Sequence, residues 1–352
     1  MNALQEFAAA TYQSNLDNLN RFWNGAGRYV ISIYPLQNSY NKCFDMEKML
    51  ALAPLHLADQ VNLPGASMPV VIPDWGTIST AKYWGGTSRF DSTGGNIFID
   101  PVAQTIEEAL ALQPRPVNDP DMDAAQAIGF YRALVDRLQT DILWLRTPDM
   151  QGPLNTAGLV LNQEILFTTM YDAPQKVHAF LDKMTDFLIA YATYLHEQTQ
   201  HHVCGNLWPY TFFPDAIGLG LTEDLMPLLS TKLYKTFGLP YVTRLQKAFG
   251  QLHIHCCGAY GHHVKTLVAS DLNIAALEFH HPATRLEELE PLADRTVFVP
   301  YIILHKQDRY ASTTEFYRDL IEHADRKFRF YFACGSDDPE LLDFAREYGA
   351  FG

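Results

Sequence analysis

Basic residues are scarce in this chain: 26 Lys and Arg stand against 40 Asp and Glu, for a net charge of −14. That balance argues against a nucleic-acid phosphate backbone or an anionic membrane as the main partner. It leaves room for a small anionic substrate held by one or two local cations. No run of about 18 apolar residues occurs, so no membrane span is expected. Cysteine is sparse as well, at 5 in 352 residues. Such a count does not build a disulfide framework, its odd number leaves at least one thiol unpaired, and reduced thiols fit the cytosol. Met1-Asn-Ala-Leu-Gln-Glu lacks a basic region followed by an apolar core, so no secretory signal is visible and a cytoplasmic protein is expected. Internal repeats and low-complexity tracts are missing too.

What is present is an ordinary globular mixture, 47% apolar and 19% charged, with 12% aromatic residues to fill a core or line a pocket. Leu4, Phe7, Ala8, Leu16, Leu19 and Trp23 recur at helical spacing and predict a helix over 3–23. Tyr29–Tyr34 reads as the first strand. From about 60 to 120, glycines and prolines punctuate short apolar pieces, which predicts an irregular excursion capping the mouth of a barrel. Strand and helix signals then alternate. Strands are expected at 141–145, near 202–208, at 252–257, 273–279, 296–304 and 328–333. Asp172 with Pro174, Thr222, Thr284, Ser312 and Asp338 are placed as helix starts between and after them. Repeated strand–helix units imply a parallel sheet. With no Gly-rich phosphate turn after the first strand, a (β/α)₈ TIM barrel spanning 1–352 as a single domain is favoured over a doubly wound sheet.

Chemistry concentrates at Gly250-Gln-Leu-His253-Ile-His255-Cys256-Cys257-Gly258. Alternation sends His253, His255 and Cys257 to one face and Ile254 and Cys256 to the other. His255 and Cys257 then lie side by side at a strand end, within reach of one ion. A distant strand, Phe328–Ala333, also ends in cysteine and glycine, Cys334-Gly335. Thiolate and imidazole donors suit zinc, and three protein ligands leave one tetrahedral position open for chemistry. His255, Cys257 and Cys334 are therefore the expected zinc ligands. Asp149 and Asp215 in loops at the same end, Trp208 and Tyr210 after the fourth strand and His280 at the end of the sixth are expected near substrate. His253 is expected one layer deeper as a core histidine, and His262 and His263 on a solvated helix start. Cys43 and Cys204 read as core or loop thiols.

His255-Cys-Cys257-Gly258 followed by Cys334-Gly335 resembles the uroporphyrinogen decarboxylase superfamily, and within it the cobamide-dependent methyltransferase branch. Gln151-Gly152-Pro153, Pro240 and Ala345-Arg-Glu-Tyr-Gly349 agree with it along most of the chain. Val299-Pro-Tyr-Ile-Ile303 departs from it by lacking a glycine-rich turn. The resemblance implies a (β/α)₈ barrel and a methyltransferase using a corrinoid, as methylcobalamin or on a partner protein, with a small thiol as the other substrate. Rival readings are a uroporphyrinogen decarboxylase-like lyase on the same fold, a corrinoid methyltransferase using tetrahydrofolate, and a metal-binding protein without turnover.

Overall fold

The computed structural model describes residues 3–34, 45–90, 97–214 and 218–352. The described residues form eleven strands: β1 Tyr29–Tyr34, β2 Val70–Val71, β3 Ser88–Phe90, β4 Ile97–Ile99, β5 Trp144–Thr147, β6 Val203–Asn206, β7 Leu219–Thr222, β8 Leu252–His255, β9 Ile274–His281, β10 Val297–Ile302 and β11 Arg329–Gly335. Six of them build one curled parallel sheet in the order β1-β11-β10-β9-β8-β7, and β2-β5-β6 build a second. The β3–β4 pair is an antiparallel hairpin.

Among the described strands the ladder does not close into one ring, so a half-barrel faces a short three-stranded sheet where a continuous eight-stranded barrel was expected. The strand β7 is the unforeseen piece. Thr222, expected to cap a helix, instead ends this strand, and Gly220 brings it so close to β6 that an added Cβ would stand 2.7 Å from Asn206. One isolated parallel bridge, Gln151 to Thr222, ties the end of the second sheet to the first.

Alternation sorts the strand side chains into two layers. Val30, Val70, Trp144, Ala276, Val299 and Tyr331 pack with their neighbours inside. Ile31, Ile254, Leu277, Phe298, Phe330 and Phe332 meet the helices outside. The long helix Pro174–Gln198 buries Val177, Phe180, Leu181, Met184, Leu188, Tyr191 and Leu195, the stripe expected from its spacing. Its flanking residue is Ala173 rather than Asp172. Ser312 and Asp338 do cap their helices, accepting from Glu315 N and from Glu340 N. The excursion over 60–120 is more ordered than its composition suggests, since β2 lies within it and pairs with β5. No described helix is long and apolar enough to cross a membrane.

Candidate metal centre

The carboxyl ends of β7, β8 and β9 carry the titratable cluster. His255 ends β8, almost fully buried at 6% exposure, while Cys257 stands exposed just beyond it. Asp224, two residues past β7, accepts from the Cys257 backbone N–H at 3.1 Å and from its thiol at 3.2 Å. The same carboxylate oxygen lies 3.5 Å from His255 Nε2. The other ring nitrogen, Nδ1, is 2.6 Å from Glu278 Oε2. Glu278 sits on β9, and its second oxygen is 2.7 Å from His280 Nε2.

Among the described residues, two groups of donor atoms therefore share His255: Asp224, His255 and Cys257, and His255, Glu278 and His280, each with all atoms within 4.8 Å of one another. Burial opposes the Glu278 charge, but the rings of His255 and His280 hold its pKa down to about 2. Burial likewise opposes a charged His255, yet the Glu278 charge and the hydrogen bonds His255 makes to Cys257 and Glu278 raise its pKa well above the ordinary value.

The donor chemistry fits a divalent ion of the zinc type. Sulfur, imidazole nitrogen and carboxylate oxygen converge where His255 Nε2 points, and Glu278 on the opposite ring nitrogen fixes the tautomer and orientation that a ligating histidine needs.

Cys334 belongs to neither group among the described residues. It follows Phe330 and Phe332 on the helix-facing side of β11, fully buried, with its thiol 3.9 Å from Phe332 O. Burial pushes its thiol pKa up.

Asp149 is also fully buried. It accepts from Thr222 Oγ1 at 3.0 Å and Asn206 Nδ2 at 3.3 Å, its other oxygen has no hydrogen-bond partner among the described residues, and burial raises its pKa to about 7. The Trp208 ring lies 5.4 Å from that of His255, and Tyr210 packs against Trp208 and stacks on Tyr34. His280 faces the mouth under Tyr301, whereas His281 turns outward onto Phe316. Asp215 and Cys43 lie outside the described residues.

His253 is a core residue, stacked on Phe213 at 3.4 Å and set edge-on to Trp23 at 4.7 Å. Cys204 and Cys256 are core thiols. His263 corrects an expectation, being fully buried with its Nε2 at 2.9 Å from Met226 O rather than on a solvated helix start.

No protein-family model and no curated protein matches the chain. Solved structures do. The chain has the fold of a methyltransferase from Methanosarcina mazei. The superposition covers 91% of this chain and 93% of that one, with a TM-score of 0.64 and 12% identity. A putative vitamin-B12 independent methionine synthase from Listeria monocytogenes aligns over 86% and 84% of the two chains, with a TM-score of 0.46 and 13% identity.

Proposed function

We propose that this chain is a methyltransferase that moves a methyl group between a corrinoid carried by a partner protein and a small thiol. In this reading a zinc ion is held by His255 and Cys257, with Asp224 or Cys334 as the third protein donor. The observation that carries it is the ion-sized meeting of Asp224, His255 Nε2 and Cys257 Sγ, with Glu278 seated on the far nitrogen of the same ring. Its setting, a fold shared with a methyltransferase, agrees.

A zinc ion held there would lower the pKa of an incoming thiol, ordinarily about 8.5, so that its proton would leave to solvent and its sulfur would stay a nucleophilic thiolate. The residues of the chain do the rest. Glu278 accepts the His255 Nδ1 proton and leaves Nε2 as a lone-pair donor. Asp224 holds the Cys257 backbone and thiol so that its sulfur faces the same point. The aromatic side chains Trp208 and Tyr210 shield one flank from water. In the transfer, sulfur attacks the methyl carbon, a C–S bond forms, and the pair of the broken cobalt–carbon bond stays with the corrinoid.

Metal content of protein purified without added metal tests the site. About one zinc per chain is expected in the wild type, with loss in His255→Ala and Cys257→Ser. Loss in Asp224→Asn or in Cys334→Ser tells which is the third donor. Methylcobalamin demethylation with a panel of thiols and with tetrahydrofolate tests the reaction. A zinc-free wild type, or activity only with tetrahydrofolate, overturns the reading.

A further inference from the structure

Fixed charge around the metal donors is of one sign. The turns that leave β7 and β8, residues 223–230 and 256–261, hold two acids and no lysine or arginine. Asp224 and Glu278 reach the donor atoms themselves, at 3.2 Å from the Cys257 thiol and 2.6 Å from His255 Nδ1. Among the described residues neither carboxylate pairs with a lysine or arginine; their ion-pair partners are His255 and His280. Asp149 adds a third acid, held through Thr222, the register partner of His255 on the next strand.

Cations stand further off. Arg146 is only 3% exposed, and its Nη1 donates to Asn206 O at 3.1 Å and Thr211 O at 2.9 Å. In the loops after β9 and β10, Arg285 pairs with Glu288 and Arg309 with Asp319. Lys306 is exposed beyond β10, two strands from β8. Two strand spacings amount to about 10 Å, a separation at which water and salt screen an exposed charge.

Room for a substrate lies on the solvent side. Cys257 is exposed, and the Asp224 side chain is 33% exposed, so a thiol reaches the donors from outside without entering the packed aromatic interior. A divalent ion beside the Cys257 thiolate, Asp224 and Glu278 sets two positive charges against three negative ones, even with Asp149 left neutral. An incoming thiolate adds a fourth. A carboxylate, sulfonate or phosphate on its tail would add another of the same sign, with no free cation beside it among these groups.

We propose that the acceptor thiol carries no anionic group, and that Asp224 and Glu278 set this preference. The word acceptor rests on the methyl-transfer reading above; the preference belongs to thiol binding at the metal and needs no turnover.

Cobalt(II) in place of zinc tests it, because a thiolate that binds cobalt adds to the sulfur-to-metal absorption whether or not a methyl group moves. 2-Mercaptoethanol and 2-mercaptoethanesulfonate share a two-carbon spacing and differ in charge, and cysteamine supplies the cation. Titrations are run at about pH 8, above the ordinary histidine pKa, and each Kd is expressed per thiolate. Mercaptoethanol should bind at least about fivefold more tightly than the sulfonate, with cysteamine no weaker than mercaptoethanol. Potassium chloride at about 0.5 M should narrow the gap. Leu228 is 62% exposed and follows Pro227, whose ring lies against Gly258. Leu228→Lys should bring the sulfonate to within about twofold of mercaptoethanol, while Leu228→Gln leaves the gap as it is. Equal or tighter binding of the sulfonate, or a gap that neither salt nor Leu228→Lys narrows, overturns the proposal.

Methylcobalamin demethylation by zinc-loaded protein keeps the two claims apart. The expected order of binding without any methyl transfer upholds the preference and sinks the methyltransferase reading. Transfer that runs fastest to the sulfonate upholds that reading and sinks the preference.

Discussion

Glu278 is the side chain on which the two histidines of the site depend, one on each carboxylate oxygen. Glu278→Gln keeps the volume and one acceptor oxygen, so it can still receive a proton from His255 or from His280, but not from both. Zinc affinity should fall about 10- to 100-fold, as for other partners of ligating histidines, read by competition with a chromogenic chelator. An unchanged affinity would show that His255 is held by something else. Glu278 was within reach of sequence reasoning, because a lone carboxylate two residues before His280 on an apolar strand must share its face. Asp224 was not, because it follows β7, a short Leu-Gly-Leu-Thr run that reads equally well as a loop. The same parity that sends Cys256 to the helices sends Cys334 there too, counting from Tyr331 inside.

At the scale of elements, strands rich in branched and aromatic residues announced themselves: β1, β8, β9, β10 and β11 all lie close to their expected places. Short strands did not, since β2 has two residues and β7 contains Gly220 and follows Gly218, which mask its period. Close approach of β6 and β7 rests on Gly220. An alanine there would put its Cβ 2.7 Å from both the Asn206 Cβ and backbone nitrogen. Asn206 in turn holds Thr147, Asp149 and the Met150 amide. Gly220→Ala should therefore cost about 1–3 kcal/mol, seen as a lower urea midpoint. Gly129 makes the contrast. It is exposed within the helix Asp123–Leu138 with nothing within 4 Å of an added Cβ, so Gly129→Ala should add about 0.5–1 kcal/mol. Equal shifts in the two variants would mean that contact across the β6–β7 junction does not limit stability.

Across the whole molecule, buried acids set how the metal-free chain responds to pH. Burial raises Glu223 to about 8 and Asp149 to about 7, so below those values each tends to stay protonated in the folded chain while the unfolded chain ionises it. Above the unfolded values of 4.5 and 3.8, the unfolded chain releases protons that the folded chain keeps. Stability therefore falls as pH rises, until the folded values are passed. His255, whose pKa is raised, acts in the same direction: its contribution is complete below the unfolded value of 6.5 and is lost as pH climbs through the folded one. Glu278 acts oppositely, stabilising above 4.5 and losing that contribution as pH drops toward 2. Thermal melts of metal-free protein should thus peak near about pH 5 and decline toward about pH 8. Glu223 isolates one source, because neither of its oxygens has a hydrogen-bond partner among the described residues. Glu223→Gln has no proton to lose, and any cost of its buried amide is the same at every pH. The melting temperature of the variant relative to wild type should therefore be higher at about pH 8 than at about pH 5. A difference independent of pH would mean that Glu223 is already ionised in the fold, and that some cation or water reaches the space behind Gly152 where its carboxylate lies.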